Sequence, residues 1–385
     1  MGLSKWVAGW GAAVDITGQN YAEYFRDETF RYIVFSTLNA TALRLHFSNK
    51  FNDEKTTITA VNVALCVKED IIDKTTIAPV TFNGGQTSIT MNAYEESVVS
   101  DPVVFKISAG QEFAVNMYFK DMTLSRTGHS NTGFHIRKYF ARGNHTESIQ
   151  LPLEVYGENE PYLFINTIDF LTSTDSEAII AFGDSITAQP WPDFLAHRIF
   201  ENGIVNRAVV RKAIGGNRIL RDYPYRIKKQ WGPAGIKRFE ADISQAGVTK
   251  VFLLQGINDI LHPAINSKYC DISQFPTFDE LVLGYNYYID TAKAHNLKIY
   301  FATLLPCPRL LKDVPQKEEM RVKVNEWIRN NKRIDGIIDF ETAVWAPENH
   351  KLMITEYDSG DHLHPSVAGA SHMADSVPLD FITEE

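Results

Sequence analysis

Cysteine is scarce in this chain. Its three copies, Cys66, Cys270 and Cys307, lie far apart and form neither a disulfide framework nor the paired spacing of a zinc ribbon, which points to a reducing compartment. Positive charge is also outnumbered. Lys and Arg total 38 against 47 Asp and Glu, for a net charge of -9 and a pI near 5.7. That balance disfavours nucleic acid or an anionic membrane surface as the main partner. No apolar run is long enough to span a bilayer. The start, Met1-Gly2-Leu3-Ser4-Lys5-Trp6, has no apolar signal-peptide core, and Trp6 stands where a myristoylation signal needs Ser or Thr. A cytoplasmic location is therefore expected, and the sequons at Asn39 and Asn144 count as chance patterns. Internal repeats and low-complexity tracts are absent as well.

What the chain does have is ordinary core material. Hydrophobic residues make up 44% of its 385 positions and charged residues 22%, enough to build two domains. From about residue 30 to residue 172 the hydrophobic period is close to two. Leu43, Leu45 and Phe47 alternate with Arg44 and His46; Val61, Val63, Leu65 and Val67 with Asn62, Ala64 and Cys66; Phe113, Val115, Met117 and Phe119 with Ala114, Asn116 and Tyr118. Each reads as a half-buried strand, and turns such as Asn83-Gly84-Gly85 and Ser108-Ala109-Gly110 separate them. The expectation is an antiparallel β-sandwich, jelly-roll-like. The polar, cationic stretch from Ser125 to Ser148 carries Arg126, His129, His135, Arg137, Lys138, Tyr139, Arg142 and His145, and reads as a solvated loop containing a strand. Its histidines have irregular spacing and no carboxylate companions, so no metal site is expected there.

The polar stretch Leu171 to Ser176 ends this pattern, which divides the chain into domains at 1–174 and 175–385. Beyond it, apolar strands at Ala178 to Phe182, Val205 to Val210, Val251 to Gln255, Ile299 to Leu304 and Ile334 to Phe340 alternate with helical patterns. These run from Asp193 to Glu201, Asp279 to His295 and Glu318 to Asn330. Strands and helices alternating at this spacing give right-handed crossovers and a parallel sheet covered on both faces, an α/β domain.

Four short stretches of this second half carry residue types suited to chemistry. Gly183-Asp184-Ser185 follows the first strand, where open α/β sheets place their reactive groups. Ile214-Gly215-Gly216-Asn217 follows the second, and its glycines let backbone N–H groups approach a ligand. Gly256-Ile257-Asn258-Asp259 follows the third and brings an amide side chain. Asp361-His362-Leu363-His364-Pro365 lies near the C-terminus. Taken singly they read as a turn, a tight loop, a helix cap and a metal half-site or polar loop. Taken together they hold a nucleophile, amide donors and an Asp-x-x-His pair, the inventory for acyl transfer.

On these four blocks the sequence resembles the SGNH hydrolases, also called GDSL esterases and lipases. The resemblance implies a flavodoxin-like three-layer α/β/α domain, with Ser185 as nucleophile, His364 as general base and Asp361 as its orienting carboxylate. It also implies an oxyanion hole built from the Ser185 N–H, the Gly216 N–H and the Asn258 side chain, and no cofactor or metal. Two features depart from the family pattern. His362 sets a second imidazole beside the pair, and Thr187 replaces the second glycine of a sharp nucleophile elbow. The expected reaction is hydrolysis of short acyl esters, acetyl in particular, of small molecules or carbohydrates, with Trp191, Tyr223, Tyr225 and Trp231 as candidate stacking surfaces for a sugar ring, although each taken singly reads more readily as core or surface packing. An acyltransferase or a lipid or thioester hydrolase would use the same parts. A non-catalytic glycan-binding protein is the alternative from another class.

Overall fold

The alternating stretches of the first half form antiparallel strands in the computed structural model, which describes residues 4–17, 24–129, 137–152, 162–224, 231–312 and 315–384. The chain divides into two compact units, residues 1–178 with 199–210 and residues 179–198 with 211–385. In the first, one sheet runs Ser4–Gly11, Ile165–Ser173, Ala40–Phe47, with Val98–Val99 and Val103–Ile107 both paired to the last of these. A second runs Arg137–Arg142, Glu28–Phe35, Glu112–Phe119, Ala60–Lys68, with short strands Ile71–Ile72 and Ala78–Pro79 at its far edge. Phe113 of the second sheet meets Phe105 and Phe170 of the first at ring-centroid distances of 5.9 Å. Apolar residues on facing sheets thus close a β-sandwich core.

The polar half of the alternation departs from the sequence reading. Asn62 and Asn116 are buried, because Arg31 lies buried between them and the segment around residues 144–151. Arg31 Nε donates to Asn116 Oδ1 at 2.5 Å, Asn116 Nδ2 donates to Asn62 Oδ1 at 2.8 Å, and Arg31 Nη2 donates to Ser148 O at 2.7 Å. Burial pulls the guanidinium down to about 10, still far above neutrality. The stretch read as a solvated loop therefore covers a sheet face in part: Lys138 and Thr146 are buried and Arg137–Arg142 is a strand. His129 is buried too, stacked on Tyr162, while His135 lies outside the described residues. Val67, expected inward, is 66% exposed near the end of its strand.

The second half supplies a five-stranded sheet in the order Arg207–Ala213, Glu177–Gly183, Val248–Leu254, Lys298–Ala302, Gly336–Ile338. The last two pairings are parallel. Ala178, Ile179, Ile180, Ala181 and Phe182 are all buried, as a continuous apolar run must be when both faces of a parallel sheet are covered. Trp191–Glu201, Phe278–Ala294 and Pro315–Asn330 are the expected helices. Thr277 and Glu280 close a capping box at the start of the second. Helices Gly235–Ile243 and Val367–Ser376 were not expected; both are short, and the second is built largely from Ala, Gly and Ser. The fifth strand is shorter than its apolar run because Asp339 accepts from Thr342 N and starts helix Phe340–Val344.

Arg321 is one of the fully buried cations of this half. It bridges Glu318 and Glu341 and donates to Leu304 O at 3.1 Å, which ties two helices to the end of the fourth strand. Replacing it removes the Arg321 bonds to both oxygens of buried Glu318 and leaves Glu341 with Arg329. Arg321→Leu should cost about 3–5 kcal/mol in a urea unfolding titration. A loss within about 0.5 kcal/mol would mean that the carboxylates reach solvent or protonate at little cost.

Candidate active site

Three strand ends and one C-terminal loop supply the side chains. Strand Glu177–Gly183 ends where only glycine fits: a Cβ on Gly183 would lie 2.3 Å from Leu254 O on the neighbouring strand. Asp184 then caps the one-turn helix Ser185–Ala188, its Oδ1 accepting from Ile186 N at 3.0 Å. Ser185 is left half-buried at the helix start, beyond the edge of the sheet.

The loop after Arg207–Ala213 passes beside it. A Cβ on Gly215 would sit 3.9 Å from the Ser185 Cβ, and Gly216 has φ +73, a conformation that favours glycine. Asn217 pins this loop: its Nδ2 donates to Trp231 O and Pro233 O at 2.7 and 2.8 Å, and its Oδ1 accepts from Arg238 Nε and Gln255 Nε2 at 3.0 and 2.7 Å. Arg238 also donates to Gly183 O at 2.8 Å, which fixes the carbonyl two residues before the serine. Asn258 sits on the short helix Ile257–Leu261 and is buried, with Nδ2 donating to Asn217 O at 3.1 Å.

The fourth stretch folds around Asp361. Its Oδ1 accepts from Leu363 N and His364 N at 2.9 and 2.8 Å, and its Oδ2 pairs with His364 Nδ1 at 2.7 Å. The opposite ring nitrogen, His364 Nε2, lies 2.7 Å from Ser185 Oγ. Burial alone would raise the Asp361 carboxyl, but the hydrogen bonds from His364 and Leu363 outweigh it and hold the group well below the usual carboxylate range. Arg309 Nη2 stands 3.0 Å from the same Oδ2. His362 faces away. At φ +60 its Nδ1 turns to Asp358 Oδ2 at 2.8 Å, and its side chain is 53% exposed.

Ser185, Asp361 and His364 are thus brought into one hydrogen-bonded line, with Gly216 on a neighbouring loop and Asn258 on a short helix. Of the aromatic candidates, Trp231 and Tyr223 lie together beside Gly216, with ring centroids 4.7 Å apart. Trp191 does not join them. It is 1% exposed and meets Phe340 edge-on at 5.3 Å, because it begins its helix two residues earlier than the pattern suggested and points into the core. Tyr225 falls outside the described residues. Sequence reasoning missed Arg238, Gln255 and Arg309, none of which stands in a motif. No group of three His, Cys, Asp or Glu suited to a metal ion occurs among the described residues, and none of their helices is long and apolar enough to cross a membrane.

The model of the GDSL-like Lipase/Acylhydrolase family matches residues 181–371. Among curated proteins, no sequence matches. Solved structures similar to the chain include a GDSL-like lipase from Bacteroides thetaiotaomicron, 19% identical over 53% of this chain and 87% of its own, with a TM-score of 0.38. An acetylxylan esterase from Geobacillus stearothermophilus is 19% identical over 54% and 95%, with a TM-score of 0.40. A psychrotrophic esterase from Pseudoalteromonas is 15% identical over 52% and 94%, with a TM-score of 0.37.

Two buried carboxyls lie beneath the site. Burial pushes Asp184 up to about 7 and Asp259 up to about 6, and each is raised although backbone N–H groups favour the ionised form. Asp259 accepts from Ile219 N at 2.7 Å and Leu220 N at 3.1 Å, whereas Asp184 Oδ2 has no partner. A carboxyl raised on folding holds its proton to higher pH than in the unfolded chain. Its contribution to stability is therefore full below about pH 4 and declines as pH rises through the folded pKa. Asn keeps the capping oxygen and cannot ionise. The stability advantage of Asp184→Asn over the wild type should therefore grow by roughly 2–3 kcal/mol between pH 5 and pH 8. The same difference at both pH values, read by denaturant unfolding, would show that Asp184 ionises without penalty.

Proposed function

Starting from residues 181–371 as a member of the GDSL-like lipase/acylhydrolase family, we propose that the chain is a serine esterase that removes short acyl groups, acetyl above all, from small-molecule or carbohydrate esters. The observation that carries this reading is the line Asp361–His364–Ser185, with both hydrogen bonds at 2.7 Å. Serine is a weak nucleophile at neutral pH unless a base takes its proton. His364 Nε2 takes it as Ser185 Oγ attacks the ester carbonyl. Asp361 holds the ring in the tautomer that leaves Nε2 free and then stabilises the imidazolium. The negative charge on the former carbonyl oxygen is met by the N–H groups of Ser185 and Gly216 and by Asn258, whose amide carries two donors, one of them engaged by Asn217. His364 returns the proton to the leaving alcohol. Water then repeats the cycle: it loses a proton to His364, attacks the acyl-enzyme and frees the acid and Ser185.

The substrate class rests on the surroundings of Gly216. Trp231 and Tyr223, both half-buried, leave part of their aromatic surface beside the loop for a sugar ring. The division of the chain at 174/175 belongs to the same proposal, with all the chemistry in residues 175–385. So does a cytoplasmic location, supported by three free cysteines.

Ser185→Ala should abolish hydrolysis of p-nitrophenyl acetate while leaving the melting temperature unchanged. His364→Ala should lose about 10³-fold or more in kcat/KM and His362→Ala less than about tenfold. The reverse order would move the base to His362. Asn258→Ala should lower kcat by about 10²–10³ with little change in KM, and a change confined to KM would make Asn258 a substrate contact. Activity should fall as the acyl chain lengthens. A preference for long chains or thioesters would replace the short-acyl reading with a lipid or thioester hydrolase.

A further inference from the structure

The Gly216 loop and the Asn258 helix come from different parts of the chain, yet the proposed oxyanion hole needs donors from both. Asn258 Nδ2 bonds Asn217 O, and Asp259 accepts from Ile219 N and Leu220 N. A third link runs through two side chains outside the family motifs. Tyr223 OH donates to Gly216 O at 2.8 Å and also meets His262 Nδ1. His262 in turn ends the Asn258 helix, its N–H reaching Asn258 O at 3.3 Å.

We infer that Tyr223 and His262 are positioning residues of the oxyanion hole, a hydrogen-bonded clasp that fixes the Gly216 backbone against the helix carrying Asn258. The inference rests on the esterase reading above. Gly216 is where such a clasp is needed. At φ +73 it holds a left-handed conformation that favours glycine, and anchoring its carbonyl fixes the peptide that follows it, which limits how far the residue can turn and carry its N–H away from the oxyanion. The proton count fixes the direction of each bond. A carbonyl only accepts, so the single phenol proton goes to Gly216 O, and His262 must donate from Nδ1 to the phenol oxygen. Burial holds the Tyr223 phenol well above its ordinary range, so that proton stays in place at working pH. Packing supports the same geometry. The Trp231 ring lies where a Gly216 Cβ would be, 2.3 Å from its nearest atom, and the His262 ring stacks on Trp231 at 5.0 Å and 19°. Arg218 covers the Tyr223 ring, its guanidinium carbon 4.2 Å from the centroid.

The test measures kcat and KM for p-nitrophenyl acetate in the wild type, Tyr223→Phe, His262→Phe and the double variant, with melting temperatures alongside. Phe keeps both rings in place and removes only the hydrogen bonds. Each single variant should lower kcat about three- to thirtyfold at unchanged KM, less than the ~10²–10³ of deleting a donor outright. The double variant should be no worse than the more impaired single one, because either substitution breaks the same clasp. If one variant melts early, the other carries the test alone. Unchanged kcat in both, a change confined to KM, or multiplicative losses in the double variant would overturn the clasp. An inactive wild type would instead overturn the esterase reading.

Discussion

The site depends on one contact, the 2.7 Å hydrogen bond between Ser185 Oγ and His364 Nε2, made by residues 179 apart in sequence. Each end has its own means of staying in place. The serine is set by a glycine with no room for a Cβ and by the Asp184 cap. The histidine is set by a loop that wraps its own backbone N–H groups around Asp361. Displacing either by an ångström would break the line, so much of the surrounding structure serves to prevent that displacement.

That support is mostly polar and buried. Arg238, Asn217, Gln255 and Tyr288 form a chain from Gly183 O to the third strand, with Tyr288 OH donating to Gln255 Oε1 at 2.6 Å. Such a network is rigid only when each member is satisfied, and then it specifies one arrangement of the strand ends. Arg309 beside Asp361 adds a further constraint. It favours the ionised carboxylate, yet it also opposes a positive charge on the nearby ring, so its net influence on the reaction is a balance of orientation against repulsion.

The parts of the site that were legible in the sequence are the local ones. Asp361 and His364 are three residues apart and meet within a single loop, and Gly183-Asp184-Ser185 carries its own cap and turn. The apolar run at Ala178 to Phe182 announced its strand for the same reason. What could not be read depends on distant partners. Arg238 reaches Gly183 across 55 residues and Tyr223 meets His262 across 39, and neither pair has a local pattern. The alternating strands of the first half gave the sandwich but misplaced Asn62 and Asn116, since alternation marks which residues share a face and not what covers it. Trp191 follows the plainer reading, packing rather than a ligand role. Its place next to a motif suggested a ligand surface, but a shift of two residues at the helix start turned it into the core.

The proposed reaction requires that Ser185 be a nucleophile activated by its neighbours. Treating the folded protein with a fluorophosphonate and mapping the modified peptide tests it directly, since such reagents label serines whose hydroxyl is activated by a base. One label per chain is expected, on Ser185. Absence of labelling, or a label on another residue while Ser185 stays unmodified, would contradict it.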